Sequence, residues 1–222
     1  MKREHIQATF FVLGEQVKQY PEMINRMSEE GHVIGNHSFN HNYKELYQAF
    51  PIFWNQIKET EEEIREITGV RPQLVRAPGG TAGHFDHTYF TLLKQGGYIV
   101  TDWNVDSGDS KRRGVPAADI LREATANMKS NSIVLLMHDG SGHGETVKAL
   151  PDIIAKYRAH GYQFASLSPD MAPVQFKVTA KAESLHRSAP DANWVRSHIS
   201  MNTALFEQGL PLMLEVGPIE LR

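Results

Sequence analysis

Apolar positions along the chain follow two rhythms, and the rhythms alternate. Ala8-Thr9-Phe10-Phe11-Val12-Leu13 is an unbroken β-branched and aromatic run closed by Gly14, which predicts a buried strand. Val17, Met23, Ile24 and Met27 then recur at helical spacing between Glu15 and Glu30, with a break near Pro21 and a stop at Gly31. His32-Val33-Ile34 predicts a short second strand. Phe53, Ile57, Ile64 and Ile67 form an apolar stripe on a long helix that ends before Gly69. The Glu61-Glu62-Glu63 run on that helix reads as a solvated face. Strands follow at Gln73–Val75, Tyr98–Val105, Ser132–Met137 and Gln163–Ala165, separated by helices at Tyr89–Gln95, Ala117–Lys129 and Thr146–His160.

Such alternation argues for a parallel sheet with helical crossovers. Its polar punctuation is not random. Arg76, Asp106, Asp109 and His138 each stand just after the C-terminal end of an expected strand. In barrels and open α/β sheets alike, that edge is where ligands bind. After Pro169 the repeat stops. Val174–Val178 and Leu212–Val216 look like strands with a polar stretch between them. The expected organisation is therefore one α/β domain over residues 1–170 and a partial, β-rich module over 173–222.

Composition narrows the function without naming it. The chain has 222 residues and a formal charge of −3, so nothing pulls it towards nucleic acid or an anionic membrane. No apolar run approaches the roughly 20 residues that span a bilayer. No signal peptide stands at Met1-Lys2-Arg3-Glu4-His5, which leads straight into a strand-like run. The absence of cysteine excludes disulfide and thiolate chemistry. What remains is histidine and carboxylate chemistry. His37 and His41 are four apart, and on a helix they would share one face, which suits two imidazoles on one metal ion.

The ordered set of segments is more specific than any one of them. Ala8-Thr9-Phe10-Phe11, His37-Ser38-Phe39-Asn40-His41, Arg76-Ala77-Pro78-Gly79-Gly80, Val105-Asp106-Ser107-Gly108-Asp109 and Leu135-Leu136-Met137-His138-Asp139 occur in that order. Together they resemble the polysaccharide deacetylase family, the NodB-homology domain of carbohydrate esterase family 4, over about residues 4–170. The resemblance implies a distorted (β/α)7-type barrel and hydrolysis of acetyl amides or esters on chitin, peptidoglycan or xylan. It implies one divalent metal, zinc by default with cobalt or nickel also suited. His37 and His41 match the metal-binding histidines. Arg76 matches the arginine that orients the catalytic base, Asp109 the aspartate that raises the pKa of the acid histidine, and His138 that acid. Leu136 matches the apolar residue of the acetyl pocket, and Pro78 and Gly79 lie in the matching substrate-binding segment. The expected partner is an acetylated polysaccharide, with no nucleic acid and no membrane, and the expected location is secreted or cell-wall associated.

Two departures from the family pattern stand out. The opening Thr-Phe-Asp-Asp-Gly-Pro motif, which carries the base and a third metal ligand, has no match, so a first barrel strand is expected to be missing and activity impaired. Ser110 stands where the family has tryptophan. Two other functions compete with the deacetylase reading. One is a carbohydrate-binding pseudoenzyme. The other is an unrelated metal hydrolase that takes its third ligand from Asp106 or His84. His84, His87 and His143 match no family ligand and read as surface loop residues.

Overall fold

The computed structural model describes residues 1–207. Six short strands and ten α-helical segments alternate through them. Strand β1 (Thr9–Val12) leads to α1 (Gly14–Gln19) and α2 (Pro21–Glu29), then β2 (Val33–Asn36), α3 (Tyr43–Leu46) and α4 (Phe50–Thr68). β3 (Leu74–Val75), α5 (His87–Gln95), β4 (Ile99–Val100), β5 (Val105–Asp106), α6 (Ala117–Ala124), β6 (Leu135–Leu136) and α7 (Gly144–Ala159) complete the repeat. All pairings are parallel, in a four-stranded sheet of order β1-β2-β3-β4 and a separate β5-β6 ladder. Parallel pairing is what the alternating pattern predicted.

The expected single strand Tyr98–Val105 is divided. Ile99–Val100 pairs with β3 in one sheet, while Val105–Asp106 pairs with β6 in the other. Between them the Asp102 N–H donates to the Val174 carbonyl. Gln163–Ala165 joins no ladder, and the Leu167 N–H meets the Thr9 hydroxyl at 2.8 Å instead. Among the described residues β1 is paired on one edge only. On its other side lies a cavity of about 210 Å³, whose lining includes Thr9, Phe11, Arg76, Leu135, Met137 and Phe164.

Helix α4 shows why the fold holds. Pro51 sits in its first turn, and Gly69, at φ 72°, caps its end by donating to the Arg65 carbonyl. Its stripe buries Phe50, Phe53, Trp54 and Ile57 against Phe85, Tyr89 and Leu93. Each such side chain contributes about 1.5–3 kcal/mol by leaving water. One acidic residue interrupts the stripe. Glu61 is fully buried, so the solvated-face reading of Glu61-Glu62-Glu63 fails for its first member. One turn after Ile57, Glu61 falls on the inward face, where Lys58, Arg71 and the Tyr98 hydroxyl converge on its carboxylate. Glu62 and Glu63 are half-exposed.

The β-rich module expected from 173 is also corrected over its described part. Val174–Val178 joins no ladder. Beyond it come α8 (Ala180–Glu183), α9 (Ala192–Val195), a π-turn at Arg196–Ser200 and α10 (Met201–Glu207). Trp194, Ile199 and Phe206 pack on the aromatic cluster of α4 and α5. Polar residues around these apolar anchors concealed a helical period. Leu212–Val216 lies outside the described residues.

Candidate active site

On a helix His37 and His41 would share one face, but no helix forms at His37–His41. After β2 the chain continues as a loop with two non-glycine residues in the left-handed region, Ser38 at φ 70° and His41 at φ 58°. Each such residue costs roughly 1–3 kcal/mol and persists only where its surroundings enforce it. Here they do. The start of α1 donates Gly14 N–H to the Ser38 carbonyl and Glu15 N–H to the Phe39 carbonyl. From α4 the Gln56 side chain accepts the Phe39 and Asn40 N–H groups. Buried Asn36 accepts the Ser38 N–H and donates to the Ile57 carbonyl. A Cβ at Gly14 would come within 2.2 Å of the Phe39 ring, so glycine is required where α1 meets the loop. The result places the His37 and His41 rings 5.2 Å apart.

His37 is held as a neutral imidazole. Its Nδ1 lies 2.7 Å from the Arg76 carbonyl, which can only accept, so Nδ1 carries the hydrogen and Nε2 keeps a free lone pair. Burial pushes its pKa down to about 3, against the pull of that carbonyl bond, so the ring is neutral at pH 7. Burial also lowers His41. The charge of His138 depresses both, which puts the three imidazoles in one electrostatic neighbourhood.

His138 is held in the opposite state. Asp109 is buried, and its Oδ1 lies 2.7 Å from His138 Nδ1. Its Oδ2 accepts the His138 backbone N–H at 2.7 Å and the Thr146 hydroxyl at 3.0 Å. Burial alone would push the Asp109 carboxyl up, but these bonds outweigh it and hold it below the usual range. The Asp109 bond raises His138 against the cost of burial, so the pair favours carboxylate and imidazolium. His143 stacks on the His138 ring at 5.4 Å. Together Asp109, His138 and His143 bring ligand atoms within 4.8 Å of one another.

Arg76 is buried, its guanidinium 4.1 Å above the Phe11 ring and bonded to the Asp102 carbonyl at 3.1 Å. Desolvation brings its pKa down to about 10, still charged at neutral pH. The segment after it is fixed by Asp102, a buried carboxylate that accepts from the Thr81 N–H and hydroxyl and from the Phe176 N–H. Pro78 is buried, and its carbonyl accepts the Tyr47 hydroxyl at 2.7 Å, while Gly79 is exposed. Leu136 is buried on β6. Asp106 closes a turn by accepting the Gly108 N–H at 2.7 Å. His84 stacks on Tyr47 at 4.3 Å, and among the described residues no third histidine, cysteine or carboxylate completes a ligand cluster on His37 and His41.

Comparison with known proteins decides the family. The sequence pattern of the family described as polysaccharide deacetylase matches residues 1–100. The crystal structure of the polysaccharide deacetylase Bc1974 from Bacillus cereus superposes with a TM-score of 0.74 at 33% identity, covering 79% of this chain and 86% of that one. The chain belongs to the polysaccharide deacetylase family. Among its family relatives, a peptidoglycan-N-acetylglucosamine deacetylase of Bacillus cereus is 33% identical over 181 residues, 79% of this chain and 65% of its own length. The peptidoglycan-N-acetylmuramic acid deacetylase PdaA of Bacillus subtilis is 31% identical over 178 residues, 80% of this chain and 66% of its own length. The chain thus spans a little under two thirds of these curated deacetylases. No described helix is long and apolar enough to cross a membrane.

Sequence reading of this deacetylase-family chain missed three participants. His143, expected as a surface loop residue, is half-buried and touches His138. Thr146 opens α7 and reads as an ordinary first-turn residue. Asp102 lay within a strand-like run. None of the three carried a local signal in the sequence.

Proposed function

We propose that this chain is the catalytic domain of a metal-dependent deacetylase acting on an acetylated cell-wall polysaccharide, with peptidoglycan N-acetyl groups as the first substrate to test. The Asp109–His138 pair carries this reading, because it keeps a proton on an imidazole in the same neighbourhood as His37 and His41. The names of the two curated relatives support the substrate class.

His37 and His41 would hold one divalent ion, zinc by default, through imidazole nitrogens. A divalent ion bound there supplies Lewis acidity towards an acetyl carbonyl. The remaining work falls to the chain. When water adds to the acetyl carbon and the C–N bond breaks, His138 donates its Nε2 proton to the departing amine. Asp109 holds His138 by Nδ1, fixing which nitrogen faces the substrate. Arg76 lines the cavity beside β1 and is the cation available to a base carboxylate. Leu136 supplies an apolar wall for the acetyl methyl, and Pro78 and Gly79 line the sugar side.

Among the described residues no third ligand clusters on His37 and His41, and two imidazoles leave a tetrahedral ion one protein ligand short, so zinc binding at this pair is expected to be weak. That shortage also supports a second reading, a carbohydrate-binding chain without turnover. Acetate release from N-acetylglucosamine oligomers and acetylxylan, with zinc present, separates the two. Release that His138→Ala abolishes supports the deacetylase. Oligomer binding without acetate release supports the second reading.

A further inference from the structure

We propose that His138 and His143 form a second divalent-metal site, distinct from His37 and His41, whose occupation withdraws the proton-donating imidazole. Both rings are anchored the way metal-ligating histidines are. A ligating imidazole normally gives its other N–H to a carboxylate or a backbone carbonyl, which fixes the tautomer and turns the free nitrogen outward. His138 Nδ1 is held by Asp109 at 2.7 Å, and His143 Nδ1 lies 3.2 Å from the Gly140 carbonyl. Each anchor leaves Nε2 as the available donor. The rings face each other 5.4 Å apart and 24° from parallel. Asp109, His138 and His143 are also the one cluster among the described residues in which three metal-ligating side chains come within 4.8 Å.

The loop between the two histidines favours closure on an ion. Gly140 and Gly142 flank Ser141, and Gly142 sits at φ 94°, so His143 can approach His138 without straining a side chain. His143 also precedes the first turn of α7, so its ring is positioned by a sixteen-residue helix on one side and the glycine loop on the other. Nothing in its environment requires an imidazole for packing, since the side chain is half-buried at the surface. Two imidazoles with Asp109 behind one of them suit zinc, cobalt or nickel rather than calcium or magnesium. An ion on His138 Nε2 occupies the lone pair that must otherwise carry the proton. Excess metal therefore inhibits the reaction proposed above, and this part of the inference rests on that reading.

Zinc calorimetry on the full chain carrying His37→Ala and His41→Ala tests the site with the first pair removed. Weak binding at one ion per chain, as two imidazoles allow, is expected to remain, and to be lost when His143→Ala or His143→Gln is added. Thermal unfolding of each variant confirms that it is folded. No binding in the double variant, or binding unchanged by both His143 substitutions, overturns the site. In protein that releases acetate, a high-to-low zinc rate ratio that rises with His143→Gln supports the inhibitory role, and an unchanged ratio overturns it. The calorimetric result stands without any turnover, so failure of the deacetylase reading and failure of this site are separately visible.

Discussion

His37 and His138 belong to one electrostatic neighbourhood, are both partly buried, and are driven in opposite directions. His37 gives its Nδ1 hydrogen to a backbone carbonyl, and burial then keeps it neutral. His138 faces a carboxylate at the same 2.7 Å and is pushed towards its charged form. Burial penalises the imidazolium in both cases. A carbonyl dipole does not offset that penalty, and a full negative charge does. One neighbourhood thereby sets a free lone pair beside an imidazole pushed towards its protonated form, and the protein sets the difference with the atom placed behind each ring.

The largest effect expected from breaking this contrast is loss of turnover. Replacing His138 by Ala removes the proton donor and should lower acetate release by roughly 10²–10⁴-fold, with oligomer binding retained. A loss of binding equal to the loss of rate would show instead that His138 merely positions substrate. The next largest effect lies away from the histidines. Glu61→Ala leaves half-buried Lys58 and Arg71 around a missing carboxylate, which should cost about 3 kcal/mol in chemical denaturation. The His138 titration should not move. If it does, the two regions are coupled and the local account of His138 is incomplete.

Asp109→Asn sharpens the contrast directly. His138 should fall towards the neutral side, as read by NMR titration of its ring protons, and the alkaline limb of the rate profile should move to lower pH. The sign follows from both partners. Because His138 is raised, its contribution to stability is present below the ordinary histidine value of about 6.5 and fades as pH rises through its folded value. Because Asp109 is lowered, its contribution is present above the ordinary aspartate value of about 3.9 and fades as pH falls through its folded value. The stability gap between the parent and Asp109→Asn should therefore peak between these values. It is moderated by solvent, since the His138 side chain is 38% exposed. A gap that keeps growing above pH 8 would contradict the ion pair. The smallest effect concerns the loop. With His41 at φ 58°, His41→Gly should be more stable than His41→Ala by about 1 kcal/mol in urea titration. Equal midpoints would mean the loop relaxes when the imidazole is lost.

The strand at Thr9–Val12 was legible in its unbroken β-branched and aromatic run, although its four residues are half-buried rather than buried as expected. The site segments were legible because ligand edges follow strand ends, and Arg76, Asp109 and His138 all stand there. Three things were hidden for physical reasons. The His37–His41 loop is set by partners on α1 and α4, so local spacing suggested a helix that tertiary bonds override. Glu61 looks solvated in one dimension, because its cations come from Arg71 across a turn and Lys58 from the same helix. His143 sits among glycines whose freedom carries no directional signal, and only the three-dimensional chain brings it to His138.

The carboxylate of Asp102 has a practical consequence for anyone cutting this protein. It receives donors from the segment that follows Arg76 and from Phe176, which lies past the boundary that composition suggests near residue 170. Trimming the chain there removes the Phe176 donor from the carboxylate that holds the segment after Arg76. Expression boundaries, fusion junctions and protease sites belong beyond residue 207, because the last stitch of the Arg76 segment is made by residues that look like a linker.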